Sequence, residues 1–329
     1  MSNIITRKIK KKQYLYLEES FKSGKKWVKE SIYLGSEKPT QKELLKAFEE
    51  LKNKCIKKKH IVLVQPLTEF IANETAVELE DASENKEEYF GQLTKTHKEQ
   101  FAKRERITFI TDSNAIEGSS LTYSETENLL EHEKRIRDAK RRNIIITGLN
   151  REQQEALNLK VSLDYYDKYL RINEKISERL ILQLHYLLLD NISGYEKYQG
   201  IYRPVKVYIV GSSHEFPLPH EVPYLMQELV KWHEENEELI HPVELAAKFH
   251  TKFTSIHPFA DGNGRMARLL MNYILQQKEM PFTNIPLAKR EAYMITQAEG
   301  NKENYKPFTR FLANEIIEQH LKKLRLLEI

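Results

Sequence analysis

A mainly α-helical protein with a small β-containing module at its front is what this 329-residue chain predicts, and three observations carry that reading. Beyond residue 67, apolar residues recur at the three- and four-residue spacing of helices. Capping boxes, in which a Thr or Asn is followed three residues later by Glu or Gln, open successive segments. Strand-like alternation is confined to residues 13–34 and 200–217. No apolar run approaches the roughly 18 residues of a membrane span, and the basic first residues lack the apolar stretch of a signal peptide, so no membrane association and a cytoplasmic location are expected. The single cysteine, Cys55, has no partner for a disulfide and reads as a buried apolar filler.

Residues 1–60 form a first unit. They hold 17 Lys/Arg against 7 Asp/Glu, while the remainder of the chain is net acidic, so a basic front sits on an acidic body. Gln13 to Leu17 and Trp27 to Gly35 alternate as two strands of a hairpin around Ser23-Gly24. Thr40-x-x-Glu43 then caps a helix whose Leu44, Leu45, Phe48, Leu51 and Cys55 share one face. Residues 61–106 read as a helical linker region and 107–329 as the main domain, with the helical pattern running from about 67 to 117. Gly118 suits a left-handed helix end. Glu117, in the last turn before it, would face the negative end of the helix dipole and wants a cation nearby.

Thr122-x-x-Glu125 opens a charged helix to about Lys140, and Asn150-x-x-Gln153 opens another to about Leu170. Leu180, Ile181, Leu184, Leu187 and Leu188 mark an apolar helix central to the core. The alternation at 200–211, with Val205, Val207 and Ile209, followed by the turn-rich Ser212 to Pro217, reads as a lone hairpin whose edge could receive an extended peptide, or as a connecting loop. Pro242 starts a helix reaching Ile256, another begins near Arg265, and helices near 287–298 and 303–325 close the domain.

Between the helices that end at Ile256 and begin near Arg265 lies His257-Pro-Phe-Ala-Asp261-Gly262-Asn263-Gly264-Arg265-Met-Ala-Arg268. Pro258 disfavours α conformation at His257, so the helix stops there and the imidazole becomes a candidate general base. Gly262 and Gly264 let backbone N–H groups approach an anion, and the loop feeds a helix N-terminus that favours phosphate. Arg265 and Arg268 share one face of that helix, where cations are unfavourable unless they hold an anion. With Asp261 beside them, these groups point to phosphoryl-group chemistry. The loop lacks the late Glu of an EF-hand and the Gly-Lys-Ser/Thr of a P-loop.

This stretch resembles the Fic family motif, His-Pro-Phe-x-Asp-Gly-Asn-Gly-Arg-x-x-Arg, at every specified position, and the resemblance extends from about Ile107 to Ile317. Ser113-x-x-x-Glu117-Gly118 resembles the inhibitory helix motif of the family's second class, and residues 200–217 resemble its target-positioning flap, with Val205, Val207 and Ile209 as the strand. The resemblance implies a Fic-type helical fold and transfer of AMP from ATP to a protein hydroxyl. His257 would be the base and Asp261 would hold Mg²⁺. Gly262, Asn263 and Gly264 would cradle phosphates, Arg265 would steady the leaving pyrophosphate, and Arg268 would meet the γ-phosphate unless paired with Glu117. Gly264 departs from the lysine of the Doc branch, which goes with phosphate transfer.

Three functions remain open at this stage: an autoinhibited adenylyltransferase; removal of AMP from a modified protein, with Glu117 positioning water; and regulation of the core through binding of a partner or nucleic acid by residues 1–60. Tyr14, Tyr16, Trp27 and Tyr33 among lysines would suit the last, although a small buried hairpin face accommodates them better. A homodimer is compatible with the chain but not demanded by it.

Overall fold

Two apolar clusters form, one under the N-terminal sheet and one through the helical body. The computed structural model describes residues 2–9, 12–23, 26–57, 68–72, 75–83, 93–132, 149–208 and 214–327. Three antiparallel strands, β1 (Ser2–Ile9), β2 (Lys12–Ser23) and β3 (Lys26–Gly35), pair in the order β1-β2-β3. The predicted hairpin is therefore part of a larger sheet. β1 escaped the sequence reading because only Ile4, Ile5 and Ile9 in it are apolar, as befits an edge strand that keeps charge on its surface. Gly24, in the predicted turn, lies outside the described residues, as do the side chains of Trp27, Leu45 and Cys55.

Helix α1 (Gln41–Lys57) lies on one face of the sheet, with Ala47, Phe48 and Leu51 against Leu17, Ile32 and Leu34. Its capping box forms as expected, Thr40 N–H donating to Glu43 at 2.7 Å and Glu43 N–H to Thr40 Oγ1 at 3.4 Å.

The predicted continuous helical pattern from 67 to 117 is interrupted. Residues 75–83 are helical, but 68–72 are not. There the backbone N–H groups of Glu69, Phe70 and Ile71 all donate to the buried carboxylate of Glu244, which replaces the helical acceptors those donors would otherwise need. The body then comprises α2 (Lys95–Ile116), α3 (Tyr123–Glu131), α4 (Arg151–Arg171), α5 (Glu178–Leu188), α6 (Val222–Asn236), α7 (Pro242–Ile256), α8 (Asn263–Gln277), α9 (Arg290–Gly300) and α10 (Lys306–Leu327). The boxes at Thr122 and Asn150 both close reciprocally. The expected extension of α3 to Lys140 lies outside the described residues beyond His132.

Helix α8 is the axis of the body: every residue from Arg265 to Leu275 is buried, as expected of a helix walled in on all sides. α7 packs directly on it, and α2, α4 and α5 complete its surroundings; α6, α9 and α10 lie against α7. The loop from His257 to Gly262 joins the two central helices, so its ends are fixed by the best-packed part of the core. The expected flap hairpin is not a ladder among the described residues: 201–208 and 214–219 form no strand, and Ile209 lies outside them.

Candidate active site

Helix α7 ends at His257, whose backbone takes the left-handed conformation (φ 52°, ψ 60°) while its N–H still donates to Phe253 O at 3.0 Å. Right-handed α is avoided, as the following proline requires. The carbonyl of His257 accepts from Arg203 Nε at 2.7 Å, and Arg203 N–H donates to Pro258 O at 2.9 Å. Arg203 is 1% exposed, and its other donors reach Val205 O (3.0 Å) and Pro217 O (2.6 Å). One buried guanidinium thus ties both arms of the 200–217 segment to the backbone of the candidate base. Phe216, on the second arm, packs against the His257 ring with centroids 4.6 Å apart. Val205 is exposed and Val207 half-buried on the first arm.

Burial pushes the His257 imidazole down to about 4; Arg203 adds to this, while a hydrogen bond to the Thr254 carbonyl and the Glu117 and Asp261 carboxylates oppose it. At neutral pH the ring is uncharged. A neutral imidazole keeps one ring nitrogen with a lone pair, the state a general base needs.

Gly262 is the N-cap of α8 with φ +78°, a conformation that strains any residue bearing a Cβ, and a Cβ there would also meet Leu188 at 3.0 Å. Asn263 also has a part in the loop itself. Its side chain is buried, with Oδ1 accepting from Phe259 N–H at 2.9 Å and Nδ2 donating to Phe259 O at 2.8 Å. The amide shapes the loop, using one of its two N–H donors on Phe259.

Glu117 sits over the start of α8. A Cβ on Gly264 would stand 2.2 Å from Glu117 Oε1, so only glycine leaves room for this carboxylate at the helix N-terminus. Arg268 Nη2 donates to the same oxygen at 2.7 Å, and Arg268 Nε and Nη2 also donate to Ser113 Oγ and Ser113 O, each at 2.8 Å. Burial would raise the Glu117 pKa, but Arg268, with help from Arg265 and His257, outweighs it and holds the carboxyl below its ordinary value. The carboxylate that the α2 dipole disfavours is thus stabilised by a helix N-terminus and a buried arginine. Gly118 follows with φ +109°, turning the chain out of α2, and Arg290 Nε donates to Ile116 O at 2.9 Å to hold that helix end.

Asp261 accepts from Gly262 N–H (2.6 Å) and from Arg151 Nη2 (2.8 Å), with Arg265 Nη2 3.6 Å away. Arg265 is 2% exposed and faces Glu155 at 3.3 Å; among the described residues its Nε has no hydrogen-bond acceptor. A buried guanidinium with a free donor is poised for an anion. For Mg²⁺, which takes one or two carboxylates and completes its shell with phosphate oxygens and water, Asp261 fits: its side chain is 24% exposed, and the Arg151 side chain that covers one oxygen is itself 55% exposed and can give way. Among the described residues no three acidic, His or Cys side chains cluster as a protein-only cage.

Sequence reading missed Arg151, Glu155, His185 and Arg203. His185 Nδ1 accepts from Gly200 N–H at 3.2 Å, so its Nε2 carries the proton and donates to Asp261 O at 3.1 Å; the ring stacks on Phe259 with centroids 3.6 Å apart. These residues lie 54 to 110 positions from the loop groups they hold, and nothing local marks them.

Residues 175–275 match the Fic/DOC family. "Protein adenylyltransferase Fic" of Drosophila melanogaster is 34% identical over 206 residues, 62% of this chain and 39% of that protein; its counterpart in Drosophila persimilis matches equally over 38% of its length. The chain thus spans about two fifths of the length of these curated relatives. Among solved structures, Fic-1 from C. elegans shares the fold with a TM-score of 0.63 at 23% identity, covering 87% of this chain and 84% of that one. A Fic domain containing signaling protein from Bacteroides thetaiotaomicron gives 0.62 at 22%, covering 78% and 97%. The loop between α7 and α8 and the two helices that carry it thus lie within or beside the stretch, residues 175–275, that matches the Fic/DOC family.

Proposed function

We propose that the domain transfers AMP from ATP to a Ser, Thr or Tyr hydroxyl of a protein target, and that Glu117 holds this activity in check. The observation that carries the reading is the Glu117 carboxylate seated against Gly264 and Arg268: an anion site at the α8 N-terminus, filled by the protein's own carboxylate. In the uninhibited state a triphosphate takes that seat. The free nitrogen of neutral His257 accepts the proton of the target hydroxyl, whose oxygen bonds to the α-phosphorus as the bond to the β-phosphate oxygen breaks and pyrophosphate leaves. Arg265, through its free buried donor, meets the charge that develops on the leaving group. Asp261 would hold Mg²⁺, which when bound neutralises phosphate charge. Arg203 keeps the His257 backbone and the flap arms in register, so a target lying along residues 205–207 would present its hydroxyl to a base whose position is fixed.

Removal of AMP is a second reading with one observation in its favour. Among the described residues only Oε1 of Glu117 accepts a hydrogen bond, and the side chain is 37% exposed, so Oε2 is open to orient a water. Intact-protein mass after incubation with ATP and Mg²⁺ separates the two. Addition of AMP to Glu117→Gly but not to the unaltered protein supports transfer under inhibition; no addition to either, with loss of AMP from a modified protein, supports removal.

A further inference from the structure

The face of the N-terminal sheet opposite α1, on which no buried cluster of the described residues packs, bears a surface that the Fic chemistry does not use. The strand register places Arg7, Lys12, Tyr14, Tyr16, Lys29 and Tyr33 on one side, opposite the face packed by α1. A buried hairpin face was the simpler expectation for these tyrosines, and the structure reverses it. Tyr33 is 56% exposed, Tyr14 and Tyr16 are half-buried, and the apolar cluster under α1 contains none of them.

Among the described side chains, Arg7, Lys12 and Lys29 share this face with one carboxylate, Glu18, which pairs with Arg7 and Lys29. A net positive surface on a module carrying 17 Lys/Arg against 7 Asp/Glu suits a polyanion. The rings are turned onto one another, Tyr14–Tyr33 at 6.0 Å and 54° and Tyr16–Tyr33 at 5.3 Å and 58°, and Arg7 covers the Tyr16 face at 4.6 Å. Rings engaged with one another and with Arg7 offer less open stacking surface, and this favours contacts to phosphates and base edges over splayed single-stranded bases. Size agrees. The outer axes of three strands at about 4.8 Å spacing lie roughly 10 Å apart, comparable to the ~12 Å width of the B-DNA major groove, and the twelve residues of β2 run about 40 Å, a little over one ~34 Å helical turn.

We propose that this sheet face docks double-stranded DNA in the major groove, with Arg7, Lys12 and Lys29 on phosphates and the tyrosine hydroxyls on phosphates or base edges. The inference is independent of what the Fic domain transfers, and it would place that domain at a DNA surface.

The test is fluorescence anisotropy of the full chain with a labelled mixed-sequence duplex of about 20 base pairs across a salt series. Binding should weaken linearly in log-log form with salt. Lys12→Glu should weaken it about tenfold or more and flatten the salt slope, and Tyr33→Ser should weaken it as well, with Tyr33→Phe separating the hydroxyl from the ring should the serine variant melt early. Lys46→Glu, the same charge change on the exposed surface of α1, should cost less than about threefold. No duplex binding at the lowest salt would overturn the proposal. So would equal losses in Lys12→Glu and Lys46→Glu, or a single strand competing as well as the duplex.

Discussion

Replacing Glu117 by glycine should make the ligand-free protein less stable and its ATP complex tighter, by related amounts. Arg268 is 1% exposed, and of its partners Ser113 Oγ, Ser113 O, Tyr293 and Glu117, only Glu117 bears a compensating charge. Deleting it leaves a buried guanidinium hydrogen-bonded but not neutralised. A charge-assisted hydrogen bond of this kind contributes about 2 kcal/mol, slightly offset because a carboxylate at the C-terminal end of α2 is unfavourable in itself. Ligand-free Glu117→Gly should therefore melt roughly 5 °C below the unaltered protein. A triphosphate no longer has to displace the carboxylate, so ATP with Mg²⁺ should bind about thirtyfold more tightly and restore most of the lost melting temperature. Calorimetric titration and thermal melts with and without ATP read both quantities. Equal ATP affinities in the two proteins, or a Glu117→Gly variant as stable as its parent and indifferent to ATP, would refute the competition for one anion seat.

Two further expectations follow from buried groups. Burial holds His185, His233 and His241 down to about 4 and His250 to about 3, against an ordinary value of 6.5, and Arg268 adds to the effect at His250. As pH falls below 6.5 the unfolded chain takes up protons that the folded one refuses. Stability should be level above pH 7 and fall between pH 6.5 and 4, with each histidine costing on the order of 1 kcal/mol by pH 5.5. A urea midpoint unchanged from pH 7.5 to 5.5 would contradict this. Arg203→Lys, measured in the Glu117→Gly background, should lower kcat about tenfold or more while leaving KM for ATP within about twofold, because it loosens the flap and His257 without touching α8. Lysine keeps the charge that helps hold the His257 value low, so the acid limb of the rate profile should stay nearly in place, whereas Arg203→Gln should move it upward. An unchanged kcat would remove Arg203 from the positioning role.

The chain announces its local structure clearly and its long-range contacts hardly at all. Thr122, Asn150 and Thr40 each met the capping partner three residues on, because that geometry is settled within one helical turn. The loop residues 257–268 are contiguous, so their chemistry is legible together. Glu117 announced its need for a cation through the helix dipole alone, and Arg268 supplies it across 151 positions. Glu244 gave no such signal, since nothing in its own helix shows that its carboxylate will accept three backbone N–H groups near residue 70. Arg203, in a stretch that reads as strand, turned out to hold that stretch without any ladder among the described residues. Asn263 carried the right residue type for phosphate, and its amide also closes the loop on Phe259. The tyrosines of the front module could not be assigned a face until the register of three strands was known, and one of those strands had no pattern of its own.

Transfer of radiolabel from ATP to protein by Glu117→Gly, with and without His257→Ala and with the label placed on either the α- or the γ-phosphate, tests the proposed chemistry most directly. Label from the α-phosphate alone, abolished by His257→Ala, is the predicted result. Label from the γ-phosphate, or α-label that survives the loss of His257, would contradict AMP transfer by a histidine base at this loop.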